Sequence, residues 1–251
     1  IILLLVINSI NKTLRGNKMK KAFTLAETLI TLGIIGVVAA MTIPTLMSAY
    51  REKVIANRLK RVHSVLNQAF KLAAAENGDI EGWDIGPLED NPQSSQKLYL
   101  ILKPFIKLSE DCGQKGCFSS NKYKALDGKV FFSWQPSTHA MYAKSRLSDG
   151  TSLAFWSSGK CNEKGNCGVI FVDINGNDFP NQAGVDYFRF DITTKGIIPS
   201  TSATVNNKYG KEICEYKNNS TLNGANCTKW VITKGNLDYL RRDVSSEMSK
   251  L

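Results

Sequence analysis

The sequence is poor in the residues that enzymes use for catalysis. It contains only two histidines, His63 and His139, in 251 residues. His63 falls in a stretch with helical periodicity and His139 lies near a predicted strand, and neither belongs to a nucleophile or metal-ligand motif. The chain also contains no Gly-x-Ser-x-Gly sequence. We therefore expect no catalytic residues and a protein that is not an enzyme.

The sequence also lacks charge in one long stretch near its beginning. Glu27 is the only charged residue in residues 23–50, and most of the other residues there are apolar. A helix needs about 20 such residues to cross the hydrocarbon core of a membrane, so this stretch is long enough to span one. A carboxylate is costly at that depth, which marks Glu27 as a candidate functional residue.

A secretory cleavage signal is missing after this apolar stretch. An ordinary signal peptide is cut after its apolar region and discarded, but no convincing Ala-x-Ala site follows Met41. Helix-favouring residues continue instead into residues 51–77. The apolar stretch is therefore expected to remain in the mature protein as an anchor.

Residues 1–18 fit this organisation poorly. Their apolar part, residues 1–10, is too short to span a bilayer, and Met19 precedes two lysines in the manner of a true start. We expect residues 1–18 to come from an overlong gene assignment; the alternative is a long leader that is removed together with residues 19–22. Residues 1–22 carry five positive charges and no acid, so the net charge of +10 falls to +5 without them. Such a mild excess is weak evidence for nucleic acid binding.

The residues around position 22 form a recognisable motif. The motif consists of Lys20 and Lys21, then Ala22, then Phe23-Thr24-Leu25-Ala26-Glu27. It resembles the N-terminal signature of the type IV pilin and type II secretion pseudopilin superfamily, which prefers Gly where this chain has Ala22. The resemblance implies that a prepilin peptidase cuts the Ala22–Phe23 bond and that the new amino terminus of Phe23 is methylated. Glu27 then becomes the fifth mature residue, where the superfamily has its glutamate, and Pro44 the twenty-second, where pilins often have a helix-loosening proline.

The resemblance also implies a role for Glu27 in assembly. In the superfamily the amino terminus of one subunit neutralises this glutamate of a neighbour, so that two charges become tolerable together in hydrocarbon. The alternative is that Glu27 lies near the lipid headgroups and reaches water. The implied partners are prepilin peptidase, other pilin or pseudopilin subunits, an inner-membrane assembly platform and the lipid bilayer; a nucleic acid partner is not expected.

The six cysteines occur as three local groups of two along the sequence. Their clustering favours local disulfides, although other pairings are open to six cysteines. The favoured pairs are Cys112 with Cys117, Cys161 with Cys167, and Cys214 with Cys227. Disulfides persist in oxidising compartments, so the domain after residue 50 should be extracytoplasmic, on a single-pass protein that the resemblance places in the inner (cytoplasmic) membrane and, after assembly, in a filament. Zinc is the competing interpretation, but no Cys-x-x-Cys pair is present and both histidines lie elsewhere.

The rest of the chain changes from a helical to a strand-like pattern. Apolar residues at steps of three and four in 51–77 predict an amphipathic continuation of the anchor helix, which Asn77-Gly78 should end. Pro44 is expected to kink or loosen this helix. We therefore predict an α+β fold in which a long N-terminal helix packs on an antiparallel β-sheet with disulfide-stapled loops, as in pilins. The predicted organisation is a leader 1–22, a transmembrane segment 23–50, an amphipathic half-helix 51–77 and an extracytoplasmic domain 78–251.

Shorter elements are predicted after residue 78. Residues 79–96 have the composition of a loop, and residues 98–108 that of a short helix broken at Pro104. Asp149-Gly150 predicts a tight turn between two strands. The predicted strands are 129–134, 140–146, 151–156, 169–174, 185–192 and 228–233, and a helical turn is predicted at 237–242.

An oxygen-rich stretch in the second half of the chain is similar to the beginning of a calcium-binding loop. Its candidate ligands are Asp173, Asn175, Asn177, Asp178 and Asp186. Asp178 stands where such loops need glycine, and no glutamate follows at their last ligand position. Asn175-Gly176 is also a good hairpin-turn sequence by itself. We therefore favour a turn without metal and expect no cofactor, with calcium as the alternative.

These features together predict a pilin-like subunit, or pseudopilin, that prepilin peptidase processes and that assembles into a type II secretion or type IV pilus filament. The alternative is a minor pilin whose loops 110–120, 157–168 and 210–228 form a tip binding module for DNA, glycan or a surface. A membrane-anchored enzyme is a third hypothesis, which the missing catalytic motifs argue against. The sequence leaves open which machine the subunit serves and whether it is a major or a minor component.

Overall fold

The structure is a computed structural model that describes residues 24–86, 91–130, 135–157, 159–200, 205–207, 210–212 and 214–251. The chain divides into two compact units, residues 1–48 and residues 49–251. The predicted cleavage-site residues Ala22 and Phe23 lie outside the described residues.

The first element is helix α1, Leu25–Asn77. It begins with a capping box, in which Thr24 N–H donates to Oε2 of Glu27 (3.0 Å) and Glu27 N–H donates to Oγ1 of Thr24 (3.2 Å). The helix is continuous through Pro44, whose ring nitrogen has no hydrogen to donate to the preceding turn. Gly78 follows α1 with a φ of +75°, the left-handed conformation at which many helices end. The predicted end of the helix is therefore confirmed.

Six strands form one antiparallel sheet, in which neighbours in sequence are also neighbours in space. The strands are β1 Leu108–Gly113, β2 Ala143–Leu147, β3 Ser152–Trp156, β4 Asn166–Asp173, β5 Tyr187–Thr193 and β6 Gly196–Pro199. Asp149 and Gly150 lie in the tight turn between β2 and β3, as predicted, and Leu147 N–H donates to Thr151 O across it (2.8 Å). A separate hairpin consists of β7, Val205–Asn207, and β8, Gly210–Glu212. The α+β fold predicted from the sequence is confirmed.

The second half of α1 lies against one face of the sheet. Its buried residues, which we call the buried stripe, are Ala56, Leu59, Val62, Leu66, Ala69, Phe70 and Ala73. They share a core with strand residues that include Phe155, Ile170 and Phe190. Complete burial of one large apolar side chain is worth about 1.5–3 kcal/mol, so the buried stripe holds the helix on the sheet. The apolar face that was predicted for residues 51–77 is thus buried by the sheet of the same chain.

Polar contacts attach the same helix to the outer edge of β6. Ile197 N–H donates to Oδ1 of Asn67 (3.1 Å), and Nδ2 of Asn67 donates to Ile197 O (2.8 Å). Nε2 of His63 lies 3.0 Å from the same carbonyl oxygen, and its ring stacks on Phe190. The side-chain amide of Asn67 therefore forms the two backbone hydrogen bonds with Ile197 that a further strand would otherwise form at this edge.

The opposite face of the sheet is covered by loops. Because side chains alternate along a strand, Ile170 of β4 lies in the core beneath α1 while Phe171 lies in a second core. This second core is rich in aromatic rings, and Phe171 stacks on Tyr187 with 5.3 Å between the ring centroids. Tyr123 and Tyr142 complete it from the loops. The aromatic residues of this region are therefore core residues.

The predicted strand at 228–233 is wrong. These residues form helix α3, Thr228–Lys234, which ends at Gly235 with a φ of +73°. The neighbouring residues Trp230 and Val231 both lie in the core beneath α1, whereas a strand would place them on opposite faces. Tertiary packing has overridden the strand preference of the local sequence here.

The segment before the sheet also differs from the prediction. Helix α2, Pro92–Leu102, includes residues that were predicted as loop, and its N-cap Asn91 accepts a hydrogen bond from Ser94 N–H through Oδ1 (2.8 Å). Pro104 lies in a 3₁₀ turn, Lys103–Phe105, after this helix, so the predicted helix 98–108 ends at residue 102. Residue 108 instead begins β1, a strand that the sequence reasoning missed, as it missed β6.

The remaining predicted elements are confirmed or lie partly outside the described residues. The strands at 140–146, 151–156, 169–174 and 185–192 are confirmed as β2 to β5 with slightly displaced ends. Residues 131–134 of the candidate strand 129–134 are outside the described residues. The helical turn at 237–242 is present as a 3₁₀ helix, Asp238–Leu240, and the short helix α4, Ser245–Met248, follows it.

Candidate functional site

The first part of α1 exposes its apolar side chains. All residues from Leu25 to Tyr50 are exposed except Ala39, which is half-buried. Leu25 is 80%, Met41 72% and Leu46 71% exposed. Within the described part of the chain, α1 is the one helix that is long and apolar enough to cross a membrane. Since burying each large apolar side chain is worth about 1.5–3 kcal/mol, this surface requires a cover of lipid or protein.

The hydroxyl groups of this segment form hydrogen bonds within the helix. Oγ1 donates to a carbonyl three or four residues earlier in Thr28 (2.8 Å), Thr31 (3.0 Å), Thr42 (2.9 Å) and Thr45 (2.9 Å). An unpaired hydroxyl is costly in hydrocarbon, so these bonds make the threonines compatible with a membrane segment. Glu27 remains the one charged side chain of the segment.

Glu27 lies in the first turn of α1 with its carboxylate exposed. Oε2 accepts hydrogen bonds from N–H and from Oγ1–H of Thr24, at 3.0 and 2.9 Å. Oε1 accepts none from the described residues, so this oxygen is open to a partner from outside. The sequence reasoning missed the capping box, although the Thr-x-x-Glu spacing of Thr24 and Glu27 is its usual signal. Thr24 thus holds the carboxylate beside the start of the helix.

The disulfides join the cysteines in the three local pairs that were favoured from the sequence. The bonds are Cys112–Cys117, Cys161–Cys167 and Cys214–Cys227. Glu110 lies beside the first bond, and these three residues form the one cluster of metal-ligating residue types in the described part of the chain. Because the two sulfur atoms are bonded to each other, they cannot serve as thiolate ligands of zinc.

Two side chains of β2 that the sequence reasoning missed hold the first disulfide loop, residues 112–117. Nζ of Lys144, a fully buried lysine, donates to Gln114 O (2.6 Å). Nη2 of Arg146 donates to Cys117 O (3.0 Å). Burial lowers the pKa of Lys144 to about 8. A lysine in the polar sequence of β2 gives no sign that it is buried, so the sequence could not have revealed this contact.

The calcium candidates lie between β4 and β5, in a connection much longer than a two-residue hairpin turn. Asp173 and Asp186 are buried, and both accept hydrogen bonds from protein groups. Oη–H of Tyr123 donates to Asp173 (2.5 Å), while the N–H groups of Asn181 and Gln182 donate to Asp186 (2.8 and 2.6 Å). These carboxylates organise the connection by binding its backbone.

The five candidates are only partly brought together. Asn175 donates through its N–H to Asp173 (3.2 Å) and through Nδ2 to Asp186 (3.3 Å), whereas Asn177 and Asp178 are exposed. Burial, together with the neighbouring charge of Asp186, raises the pKa of Asp173 to about 8. Burial raises the pKa of Asp186 as well. Raised carboxyl pKa values favour the turn without metal, and calcium stays a prediction.

The two histidines are not part of one site. His63 packs on Phe190 in the core beneath α1, whereas His139 packs on Tyr142 in the core of the opposite face. Burial lowers the pKa of His139, and the positive charge of Lys144 lowers it further. The sheet therefore separates the two imidazole rings.

Comparison with known proteins agrees with these features. Residues 17–43 match the prokaryotic N-terminal methylation motif, the prepilin-type signal of type IV pilins and pseudopilins. This motif, the exposed apolar helix and the α+β fold define a type IV pilin-like protein. Residues 45–221, most of the chain, match the family of unknown function DUF6613, and the protein belongs to that family. No curated protein and no solved structure matches the chain.

Proposed function

We propose that this protein is a pilin-like subunit that prepilin peptidase cuts between Ala22 and Phe23 and that assembles through α1 into a type II secretion or type IV pilus filament. The observation that carries the proposal is an apolar helix surface, exposed from Leu25 to Tyr50, that begins within a cleavage and methylation motif. The pilin-like class is structural rather than catalytic. In this role the helix is covered by lipid of the inner membrane before assembly and by neighbouring subunits afterwards.

Glu27 provides the register between subunits in this proposal. Thr24 occupies Oε2 of Glu27, and Oε1 is left to accept a hydrogen bond from the amino terminus of a neighbouring Phe23. Opposite charges that meet in hydrocarbon neutralise each other, whereas each alone is costly there. A subunit that is shifted along the helix axis leaves both charges unpaired, so only one register is favoured.

The disulfides support an extracytoplasmic position for the unit that begins at residue 49. Three bonded pairs are present in this unit, and disulfides of this kind persist in oxidising compartments. In the proposed topology the protein therefore crosses the membrane once. The leader lies in the cytoplasm, and the sheet lies on the other side of the membrane.

The first test is mass spectrometry of the full protein, extracted from membranes without reduction. The expected species begins at N-methylated Phe23 and is lighter by two hydrogens for each of the three disulfides. A chain that keeps residues 19–22, carries no methyl group and has free thiols would refute the proposal.

The second test concerns assembly. Glu27→Gln keeps the size of the side chain but removes its charge, so the variant should be cut and methylated yet excluded from filaments. Glu163→Gln removes an exposed carboxylate from the 161–167 disulfide loop and should assemble normally. Equal incorporation of both variants into filaments would show that Glu27 does not set the register.

A further inference from the structure

The exposed charges along the second half of α1 are separated into two groups of opposite sign. The positive group lies at the start of the 49–251 unit, and the negative group lies at the end of α1 and in the 3₁₀ turn Ile80–Gly82 with its N-cap. We name them the basic patch, which consists of Lys53 and Lys60, and the acidic patch, which consists of Glu76, Asp79 and Glu81. Lys71 lies between the two patches and belongs to neither.

The five charged groups of these patches have no ion-pair partners among the described residues. Nearby charges do have such partners: Arg61 pairs with Asp149 at 3.0 Å, and Asp84 pairs with Lys97 at 3.0 Å. Arg58 is likewise engaged, because its Nη1 donates to Ile174 O (3.2 Å). The two patches, with Arg51 and Lys71, are therefore the charges on this surface that remain unpaired among the described residues.

The patches are too far apart to neutralise each other within one chain. Since an α-helix rises about 1.5 Å per residue, Lys60 lies about 24 Å from Glu76 along the axis and Lys53 about 35 Å. Charges at the surface are screened over about 8 Å at physiological ionic strength. The two patches therefore do not neutralise each other within one chain, and a second molecule can supply the opposite charge to each.

Apolar side chains provide little partner surface on this part of α1, where Leu72 is the one large apolar side chain that is exposed. The buried stripe already packs on the sheet of its own chain. The outward face carries polar residues instead, among them Lys53, Asn57, Lys60 and Ser64, all of which are exposed. A neighbouring molecule that lies along this half of the helix therefore binds it mainly through polar and charged groups.

We propose that the basic patch of one copy of this chain binds the acidic patch of a second copy. The proposal rests on the filament function proposed above and adds an interface to it. A contact between two different patches of the same chain is heterologous, and its repetition generates an open helical filament when the rotation does not close a ring. Copies with parallel α1 helices, displaced by about 24–35 Å along the axis, bring the two patches together.

The direct test is cross-linking of the full protein in membranes with a carbodiimide, which joins a carboxylate to an amine only where the two are in contact. The expected products link Lys53 or Lys60 to Glu76, Asp79 or Glu81. Mixing isotope-labelled and unlabelled protein identifies the bonds between copies, and the separation along α1 excludes the same bonds within one chain. Cross-links between copies that join other residues and never these would overturn the interface while leaving the filament proposal intact.

Charge reversal provides an independent test in cells. Lys53→Glu with Lys60→Glu should lower the assembled fraction roughly tenfold, because two attractive contacts per interface become repulsive. Glu76→Lys with Glu81→Lys should do the same. A chain with all four changes restores the complementarity of the patches and should recover assembly, which a merely misfolded variant would not do.

The matched control is Lys164→Glu with Lys195→Glu, which makes the same change in net charge at exposed lysines elsewhere. This control should assemble like the unchanged protein. Assembly that is indifferent to reversal of either patch would overturn the interface alone. An unchanged protein that is processed but never assembles would overturn both proposals.

Discussion

Replacement of Glu52 by glutamine should separate the C-terminal segment from α1 and lower the stability of the 49–251 unit. The Glu52 side chain is only 13% exposed. Its Oε1 accepts from Nη1 of Arg241 (2.5 Å), and its Oε2 accepts from Nη2 of Arg241 (3.1 Å) and from Leu237 N–H (3.1 Å). Glu52 therefore receives three hydrogen bonds from a segment that is distant in sequence.

The magnitude follows from the type of these bonds. A hydrogen bond to a charged group contributes about 1.5–3 kcal/mol when it is well shielded. The Arg241 side chain is 51% exposed, so water weakens the contribution of its two hydrogen bonds to Glu52. We therefore expect Glu52→Gln to lower the free energy of unfolding by about 2 kcal/mol. For a unit of this size, this corresponds to a decrease in Tm of about 4–8 °C.

The loss should also depend on pH in a defined direction. Hydrogen bonds from Arg241 lower the pKa of Glu52 below its ordinary value. A carboxylate of this kind stabilises the fold above its ordinary pKa and loses that effect as the pH falls through the lowered value. The difference between Glu52→Gln and the unchanged protein should therefore be full at neutral pH and disappear in acid.

The assay is denaturant and thermal unfolding of the full protein in detergent micelles, together with hydrogen exchange of the Leu237 amide. The matched control is Glu110→Gln, which removes the charge of a glutamate that is 54% exposed. Oε2 of Glu110 lies 3.5 Å from Nη1 of Arg146. Such a surface pair should contribute less than about 0.5 kcal/mol. If the two variants were equally stable, or if the Leu237 amide kept its protection in Glu52→Gln, the reasoning would be refuted.

Two further predictions concern the core. Burial raises the pKa of Asp173 to about 8, so the folded state keeps a proton that the unfolded state releases above about pH 4. Stability should therefore fall as the pH rises from about 4 to about 8, and Asp173→Asn should reduce that slope in denaturant titrations; an unchanged slope would contradict the assignment to Asp173. Leu66→Ala should cost about 2–5 kcal/mol because Leu66 is fully buried, whereas Leu72→Ala, at a position that is 52% exposed, should change stability by less than about 0.5 kcal/mol.

The parts of the fold that follow a simple period could be predicted from the sequence. The steps of three and four from Leu59 to Ala73 identified the buried stripe because a helix that covers a sheet must present one apolar face. Asp149-Gly150 identified the β2–β3 turn because its glycine takes a left-handed φ of +89°. The local cysteine pairs were predicted because their loops are short.

Other parts depend on packing that no local pattern contains. Helix α3 has the composition of a strand, but as a helix it places both Trp230 and Val231 in the core beneath α1. Strand β1 has a polar sequence, and its place at the edge of the sheet comes from pairing with β2. At the candidate site, Glu27 was identified by its isolation in an apolar run. Its hydrogen bonds to Thr24 follow from the Thr-x-x-Glu spacing of a capping box, which the prediction from the sequence did not include.

The contact between Asn67 and Ile197 has a consequence for how copies of this chain can polymerise. A sheet with an open edge can recruit a strand from another molecule, which is the first step of strand swapping and of amyloid growth. At the outer edge of β6 the N–H of Ile197 is already bound by Asn67, and Pro199 has no N–H to give. An incoming strand would thus find neither N–H group free to donate, and this edge is protected against templated aggregation.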